Sequence, residues 1–278
     1  MLVLPVLLVF GLFSWWPILQ GVLLSLQETN FIVTDWVGLE NFETVLTDPL
    51  LGRALQNTAY FAVLALVIGF PVPLVLATII GEMRRIRRLA SVLAFLPVMV
   101  PPVVGILLWK VFYRPSEDGL INAVLGLVGL GPFPFLQDAS SAMPAIVVQA
   151  TWIGFGSTTI IYLAAITAID TQLYEAAELD GANPVRRFWH VTLPQLRGTI
   201  LLLLLLQIIG TFQVFAEPYL MTGGGPNNAT ISLLMLIFNY AFVRGDYGGA
   251  AALSVMLAIG LGVISLIYFR LTRRWNTK

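Results

Sequence analysis

The chain has 278 residues, of which 58% are hydrophobic and 11% are charged, and its formal net charge is zero. A soluble globular protein has about 25% charged residues. The composition therefore excludes a soluble fold and indicates a chain whose main solvent is the lipid bilayer. The sequence has no cysteine and one histidine, His190. It therefore offers neither disulfides nor thiolate or multi-histidine metal sites, and the zero net charge does not indicate a nucleic-acid partner.

Six stretches are long and apolar enough to cross a membrane as helices, because a span needs about 20 mostly apolar residues. They cover approximately residues 3–26, 57–81, 89–113, 143–168, 198–221 and 248–270. The N-terminus lacks the basic region of a signal peptide, so we expect a first span there rather than a cleaved leader. The sequence thus predicts an all-α polytopic membrane protein, with one transmembrane domain over residues 1–278.

The basic residues predict the orientation of these spans. They cluster between spans two and three, between spans four and five, and after span six: Arg84, Arg85, Arg87, Arg88, Arg186, Arg187, Arg197, Arg270, Arg273, Arg274 and Lys278. With six spans these three regions share one side, which the positive-inside rule assigns to the cytoplasm. Both termini are then inside. The apolar stretch 229–243 would move the basic C-terminus outside if it crossed, so we predict an outer-face or re-entrant helix there.

The segment between spans four and five, residues 170–197, is predicted to form two short helices joined by a sharp corner. We call this segment the elbow. Its capping and helix-ending residues are Asp170 or Thr171 before the first helix, Gly181 after it, Asn183 and Pro184 before the second helix, and Pro194 near its end. Periodicity alone leaves two interpretations open. The elbow is either a rigid knob that a soluble partner grips or an amphipathic helix lying on the membrane surface.

The elbow sequence EAAELDGANPVRRFWHVTLPQL resembles the EAA loop of binding-protein-dependent ABC importer permeases. That family pattern consists of Glu-Ala-Ala, a glycine four positions after the second alanine, and a downstream Leu-Pro. The matching residues are Glu175, Ala176, Ala177, Gly181, Leu193 and Pro194. The sequence departs from the pattern at Asp170, where many relatives have proline, but an aspartate also caps a helix.

The resemblance extends over most of the chain. Four further segments are similar to the sugar and glycerol-3-phosphate permeases related to maltose permease: Gly38–Pro49, Ala54–Phe61, Asp118–Gly126 and Thr211–Thr230. It implies a heterodimer with a second homologous permease subunit, two P-loop ATPase subunits that bind ATP and Mg, and an extracytoplasmic solute-binding protein. The elbow would then be a coupling helix that inserts into the ATPase and drives alternating access. The implied coupling residues are Glu175, Ala176, Ala177, Asp180, Gly181, Leu193 and Pro194.

This chain does not carry the phosphate-binding loop of an ATPase. The sequence contains no Gly-Lys dipeptide and therefore no Walker A motif. We expect this chain to bind no cofactor and to be no enzyme, with ATP hydrolysis in a partner subunit. The glycine run Gly223, Gly224, Gly225 and Pro226 has no lysine. We interpret it as a flexible turn that contacts the binding protein, or alternatively as a tight turn required by packing.

Polar residues inside spans are costly and therefore mark candidate solute paths. The fifth span carries Gln207, Gln213 and Glu217 beside Phe215 and Tyr219, and the fourth span carries Gln149, Trp152, Thr158 and Thr159. Amides and aromatic faces together suit a sugar, whose hydroxyls need hydrogen-bond partners. For each residue the alternative is a hydrogen bond between helices.

The predicted function is the membrane permease of an ATP-driven importer for a sugar or a related polyol or glycerophosphate, in a prokaryotic cell membrane. The alternative that composition allows is an ion-coupled secondary transporter or channel. The sequence does not identify the individual solute.

Overall fold

The computed structural model describes residues 4–29, 31–83 and 85–273. Arg84, Arg274 and Lys278, which contribute to the predicted orientation, lie outside the described residues. In chain order the helices are α1 (Leu4–Leu24), α2 (Glu40–Thr47), α3 (Pro49–Glu82), α4 (Arg87–Met99), α5 (Pro102–Phe112), α6 (Leu120–Gly126), α7 (Ala142–Thr167), α8 (Thr171–Leu179), α9 (Pro184–Gln195), α10 (Arg197–Phe212), α11 (Ala216–Thr222), α12 (Leu233–Arg244) and α13 (Tyr247–Arg273). Strands β1 (Gln27–Thr29) and β2 (Thr34–Trp36) pair antiparallel between α1 and α2.

Four of these helices are long and apolar enough to cross a membrane singly: α1, α3, α7 and α13. Two further pairs pass the same test together but are sharply bent, α4 with α5 by 93° and α9 with α10 by 73°. Counting each bent pair as one span gives up to six spans by length and composition. The second pair, however, includes α9, which belongs to the elbow, and not the predicted end of the fifth span. The side of the membrane on which the elbow lies stays a prediction.

Prolines explain the bend between α4 and α5. Pro101 and Pro102 have no N–H to donate, and a proline disfavours helical geometry in the residue before it. Val100 is accordingly extended, with ψ of 126°, and α5 begins at Pro102. In α3, by contrast, Pro71 and the later Pro73 cause no break. A π-helical segment, Ala65–Gly69, directly precedes them, and α3 runs through it without a break.

The predicted fifth span, 198–221, is interrupted. Helix α10 ends at Phe212, and α11 begins at Ala216. Pro218 lies four residues after Val214 and could not donate to its carbonyl in a continuous helix. The Ser232 hydroxyl donates to that carbonyl instead, at 2.7 Å in a buried contact. The proline and this substitute donor therefore account for the break, which the apolar pattern alone did not reveal.

Helix α12 occupies the apolar stretch around 229–243. At about 1.5 Å per residue it is too short to cross a bilayer, as predicted. Hydrogen bonds link α12 to Asp48 at the start of α3. The Asp48 carboxylate accepts from the Tyr240 hydroxyl at 2.8 Å and from Arg244 at 3.0 Å. Desolvation raises the pKa of Asp48. Hydrogen bonds from the Leu50 amide, Tyr240 and Arg244 outweigh that effect and hold the pKa below its ordinary value.

Buried apolar side chains of the described residues form three clusters. One surrounds Phe61 and Ile146, and another joins Val45 to Leu236. A third, around Tyr162, packs the ends of α3 and α7 together near the elbow. Close contacts need small residues: a Cβ added to Gly248 of α13 would lie 2.3 Å from the Gln27 carbonyl oxygen. These clusters hold α3, α7 and α10 around the cavity described below.

Candidate functional site

The first arm of the elbow, α8, begins and ends as its sequence predicts. The Asp170 side chain accepts a hydrogen bond from the Gln172 N–H at 3.0 Å and caps the helix. Gly181 has a φ of +73°, in the left-handed region that glycine adopts without a steric penalty. Its N–H donates to the Glu178 carbonyl at 3.0 Å, and the next N–H donates to the Ala177 carbonyl at 2.9 Å. These two bonds form a Schellman motif that fixes the corner.

The second arm, α9, is capped by Asn183, whose side-chain oxygen accepts from the Arg186 N–H at 2.8 Å. Pro184 occupies its first turn. A π-helical segment, Phe188–Thr192, precedes Pro194, and the 73° bend into α10 follows shortly after that proline. The predicted two-helix elbow is therefore confirmed in its local geometry.

The elbow presents apolar surface away from the rest of the chain. Leu179 is 90% exposed, Val185 is 66% exposed and Trp189 is 58% exposed. Among the predicted coupling residues, Glu175, Ala176, Asp180, Gly181 and Pro194 are exposed, whereas Ala177 and Leu193 are half-buried. Exposed apolar side chains beside polar ones are typical of a surface that a partner or a membrane covers.

A cavity of ≈ 480 Å³ lies between α3, α7, α10 and α11. Its polar lining consists of Thr151, Thr158, Gln207, Thr211, Gln213 and Glu217. Apolar and aromatic residues form the remainder, among them Phe61, Phe70 and Phe155. The cavity reaches the interruption between α10 and α11, where irregular backbone is tolerated at membrane depth because it lines a cavity.

Four of the predicted path residues lie in the cavity wall, namely Thr158, Gln207, Gln213 and Glu217. Gln149 lies elsewhere: it is completely buried, and its amide has no hydrogen-bond partner among the described residues. It is two positions from the cavity-lining Thr151, and two positions on a helix are about 200° apart. Trp152 packs on Trp109, with ring centroids 5.7 Å apart.

The aromatic residues predicted beside the fifth span form a separate cluster. The rings of Phe215 and Tyr219 stack with centroids 5.0 Å apart, and both rings contact Phe238 of α12. Neither Phe215 nor Tyr219 lines the cavity. These residues therefore join α11 to α12, and their part in a solute path stays a prediction.

Sequence reasoning missed several cavity residues. Thr151 is one of them, although it lies on the same face of α7 as Thr158, seven positions further on, and this spacing was visible in the sequence. Gly69 could not have been recognised from sequence, because its role depends on the contact between two helices. A Cβ added there would lie 2.9 Å from the Thr151 hydroxyl oxygen.

The glycine run after α11 forms a turn that is held by hydrogen bonds. Gly224 is buried with a φ of +92°, and its carbonyl accepts from the Thr230 N–H at 3.0 Å. The amide of Asn57 in α3 donates to the carbonyls of Asn228 at 2.7 Å and Ile231 at 3.0 Å. Packing thus determines the turn. Its surface is formed by the exposed Gly223, the half-buried Gly225 and Pro226, and the exposed Asn227 and Asn228.

Residues 69–277 match the family described as "Binding-protein-dependent transport system inner membrane component". The chain belongs to this family. Over 269 residues the permease is 33% identical to the probable ABC transporter permease protein YurN of Bacillus subtilis (strain 168), covering 95% of this chain and 92% of the relative. Over 275 residues it is 32% identical to the trehalose/maltose transport system permease protein MalF of Thermococcus litoralis, covering 98% of this chain and 92% of the relative.

Solved structures also match the chain to an ABC importer. The permease matches a chain of the bacterial alginate ABC transporter in complex with alginate pentasaccharide-bound periplasmic protein, with a TM-score of 0.87 and 26% identity. The match covers 100% of this chain and 94% of that chain.

Family membership confirms the predicted class. The permease is a transmembrane subunit of an ABC importer in the cell membrane, and it is not the ATPase. The alternative of an ion-coupled transporter or channel receives no support. The matched range includes the whole elbow, residues 170–197. The roles assigned to individual elbow and cavity residues stay predictions.

Proposed function

We propose that the permease moves a sugar, or a related polyol or glycerophosphate, through the cavity between α3, α7, α10 and α11. The observation that carries this proposal is the polar lining of the cavity at an interrupted membrane helix. In secondary transporters, solute sites are typically built from discontinuous helices near the bilayer midplane, and we infer the same use of an interrupted helix here. The carbohydrate class is supported by MalF, named for trehalose and maltose, and by the alginate importer, named for an acidic polysaccharide.

The chemistry of the lining suits a solute rich in hydroxyl groups. Gln207 and Gln213 each offer an amide donor and an amide acceptor, and Glu217 offers carboxylate oxygens. Phe61 and Phe70 offer apolar faces for the C–H surface of a sugar ring. A volume of ≈ 480 Å³ lies in the range of about 300–1,000 Å³ found for small-molecule sites.

The permease would work with three kinds of partner: a second permease subunit, ATPase subunits and a solute-binding protein. A second permease subunit completes the membrane pathway, and two ATPase subunits bind ATP and Mg. The elbow, on the cytoplasmic side of a six-span bundle with both termini inside, docks into one ATPase through Glu175, Ala176, Ala177, Asp180, Gly181, Leu193 and Pro194. On the opposite side, the turn at Gly223–Pro226 contacts the solute-binding protein. The exposed corner of the elbow supports the first assignment, and the exposed Gly223, Asn227 and Asn228 at the surface of the turn support the second.

The cavity is tested by uptake of radiolabelled maltose and trehalose into proteoliposomes that contain the purified importer, its binding protein and internal ATP. Gln207→Leu and Gln213→Leu each remove one hydrogen-bonding side chain from the lining. Since a hydrogen bond contributes about 0.5–1.5 kcal/mol, we expect the KM for uptake to rise about threefold to tenfold. Gln149→Leu is the matched control, because it removes the same amide from a position outside the cavity.

We expect the KM of Gln149→Leu to stay near that of the unmodified importer. An equal rise in KM for Gln149→Leu and Gln213→Leu would contradict the cavity as the solute path. If neither sugar is taken up but ATP hydrolysis responds to a solute that is not a sugar, polyol or glycerophosphate, the carbohydrate assignment is wrong and the transport assignment stands.

A further inference from the structure

Apolar packing contributes little to the position of the first arm of the elbow, because no residue of α8 is fully buried and only Tyr174 and Ala177 are half-buried. Polar contacts hold it in place instead. The hydroxyls of Tyr174 in α8 and Thr192 in α9 lie 2.9 Å apart and share a hydrogen bond. A second polar contact involves Arg187 of α9, and it reaches beyond the elbow.

The Arg187 guanidinium joins three helices. One of its terminal nitrogens donates to the carboxylate of Glu178 in α8. The other donates to the carboxylate of Glu82, the last residue of α3, at 3.4 Å. Only 12% of the Arg187 side chain is exposed, whereas the carboxylate side chains are 54% and 55% exposed. A planar guanidinium has donors on separate edges, so it can hold two carboxylates in a fixed arrangement.

Helix α3 continues from Glu82 to the cavity. It lines the cavity through Phe61, Gly69 and Phe70. Arg187 therefore connects the elbow to a helix that forms part of the cavity wall. The contact between Arg187 and Glu82 spans 105 positions of sequence and connects the elbow to a helix that is not its chain neighbour.

We propose that Arg187 is a positioning residue that makes the elbow and α3 move together when an ATPase displaces the elbow. This inference rests on the proposed function, because it assigns the source of the displacement to an ATPase partner. Partly exposed ion pairs contribute little to stability, since solvent screens them. Loss of Arg187 is therefore expected to reduce coupling more than folding.

The test compares Arg187→Gln and Glu82→Gln in the purified importer, with Arg186→Gln as the matched control. Arg186 is a neighbouring exposed arginine, and within the described ranges 4–29, 31–83 and 85–273 no carboxylate pairs with its side chain. The measured quantity is solute transported per ATP hydrolysed. We expect it to fall about threefold to thirtyfold in Arg187→Gln and Glu82→Gln, as for other residues that couple distant sites. The double variant should be no worse than the stronger single variant, because both changes break one contact.

Hydrogen exchange of the α8 amides measures the same connection without any transport assay. We expect faster exchange in α8 for both Arg187→Gln and Glu82→Gln, and unchanged exchange for Arg186→Gln. If Glu82→Gln alters neither the exchange of α8 nor the transport per ATP, the proposal is wrong. A failure of the proposed function has a different signature. In that case the unmodified protein would retain no ATPase and take up no solute, while Glu82→Gln would still accelerate exchange in the elbow.

Discussion

Gly181 determines the corner of the elbow through its backbone alone. Its φ of +73° is inaccessible to proline, whose ring holds φ near −65°. Proline would also delete the N–H that donates to the Glu178 carbonyl at 3.0 Å. We therefore expect Gly181→Pro to abolish the corner and to uncouple ATP hydrolysis from transport, while the protein still inserts into the membrane. The measurement is solute uptake and ATPase activity of the same proteoliposomes.

Gly181→Ala is a milder substitution at the same position and is compared with Gly181→Pro. Because nothing lies within 4 Å of a Cβ added at Gly181, Gly181→Ala adds no clash, and only backbone strain of about 1–2 kcal/mol remains. We expect Gly181→Ala to retain part of the uptake. Gly198→Ala is the control, since that site has the same free space and no positive φ. Normal uptake by Gly181→Pro would contradict the role of the corner.

At the scale of single residues, the sequence predicts the local features that depend only on residues nearby in the chain. The caps Asp170, Asn183 and the left-handed Gly181 were predictable, because each acts on backbone groups within three positions. The cavity was predictable only in part. Gln213 and the buried Gln149 look alike in sequence, and only the packing of α7 decides that Gln149 faces away from the cavity.

The interruption between α10 and α11 depends on one buried serine. The Ser232 hydroxyl donates to the Val214 carbonyl at 2.7 Å and accepts from the Met235 N–H at 3.2 Å, which caps α12. We expect Ser232→Ala to leave that buried carbonyl unpaired and to destabilise the importer by about 1–3 kcal/mol. The measurement is the thermal unfolding midpoint of the purified complex in detergent. Ser157→Ala is the control, because Ser157 is exposed and its hydroxyl donates only within α7. Equal midpoints for the two variants would contradict this account.

At the scale of helices and strands, apolar length predicted the membrane helices but not their breaks. The helix α3 begins at Pro49, well before the predicted start at residue 57, because Asp48 caps it with a hydrogen bond from the Leu50 N–H.

The hairpin of β1 and β2 was not predicted at all. Its strands are too short to show alternation, and it is closed by tertiary contacts such as Phe31 on Tyr247, with centroids 4.4 Å apart.

At the scale of the whole molecule, the described residues leave a large apolar surface that no other described part of the chain covers. Helix α1 has no buried position in its membrane-spanning window. Lipid covers such a surface in part, and a second permease subunit is expected to cover the remainder. The elbow adds a separate apolar surface outside the bundle, at Leu179, Val185 and Trp189. Composition and hydropathy predicted a membrane protein, but only these surfaces indicate where partners would lie.

These surfaces lead to a prediction about assembly. A tagged permease purified in a mild detergent should retain a second permease and a P-loop ATPase, which mass spectrometry would identify. Substituting the exposed elbow residues Glu175 and Leu179 together should release the ATPase and keep the second permease, because the two partners bind separate surfaces. Loss of both partners from this variant would indicate that the elbow supports folding rather than docking. Retention of the ATPase would place the docking surface elsewhere and favour an elbow that lies on the membrane, since apolar residues such as Trp189 also suit a lipid interface.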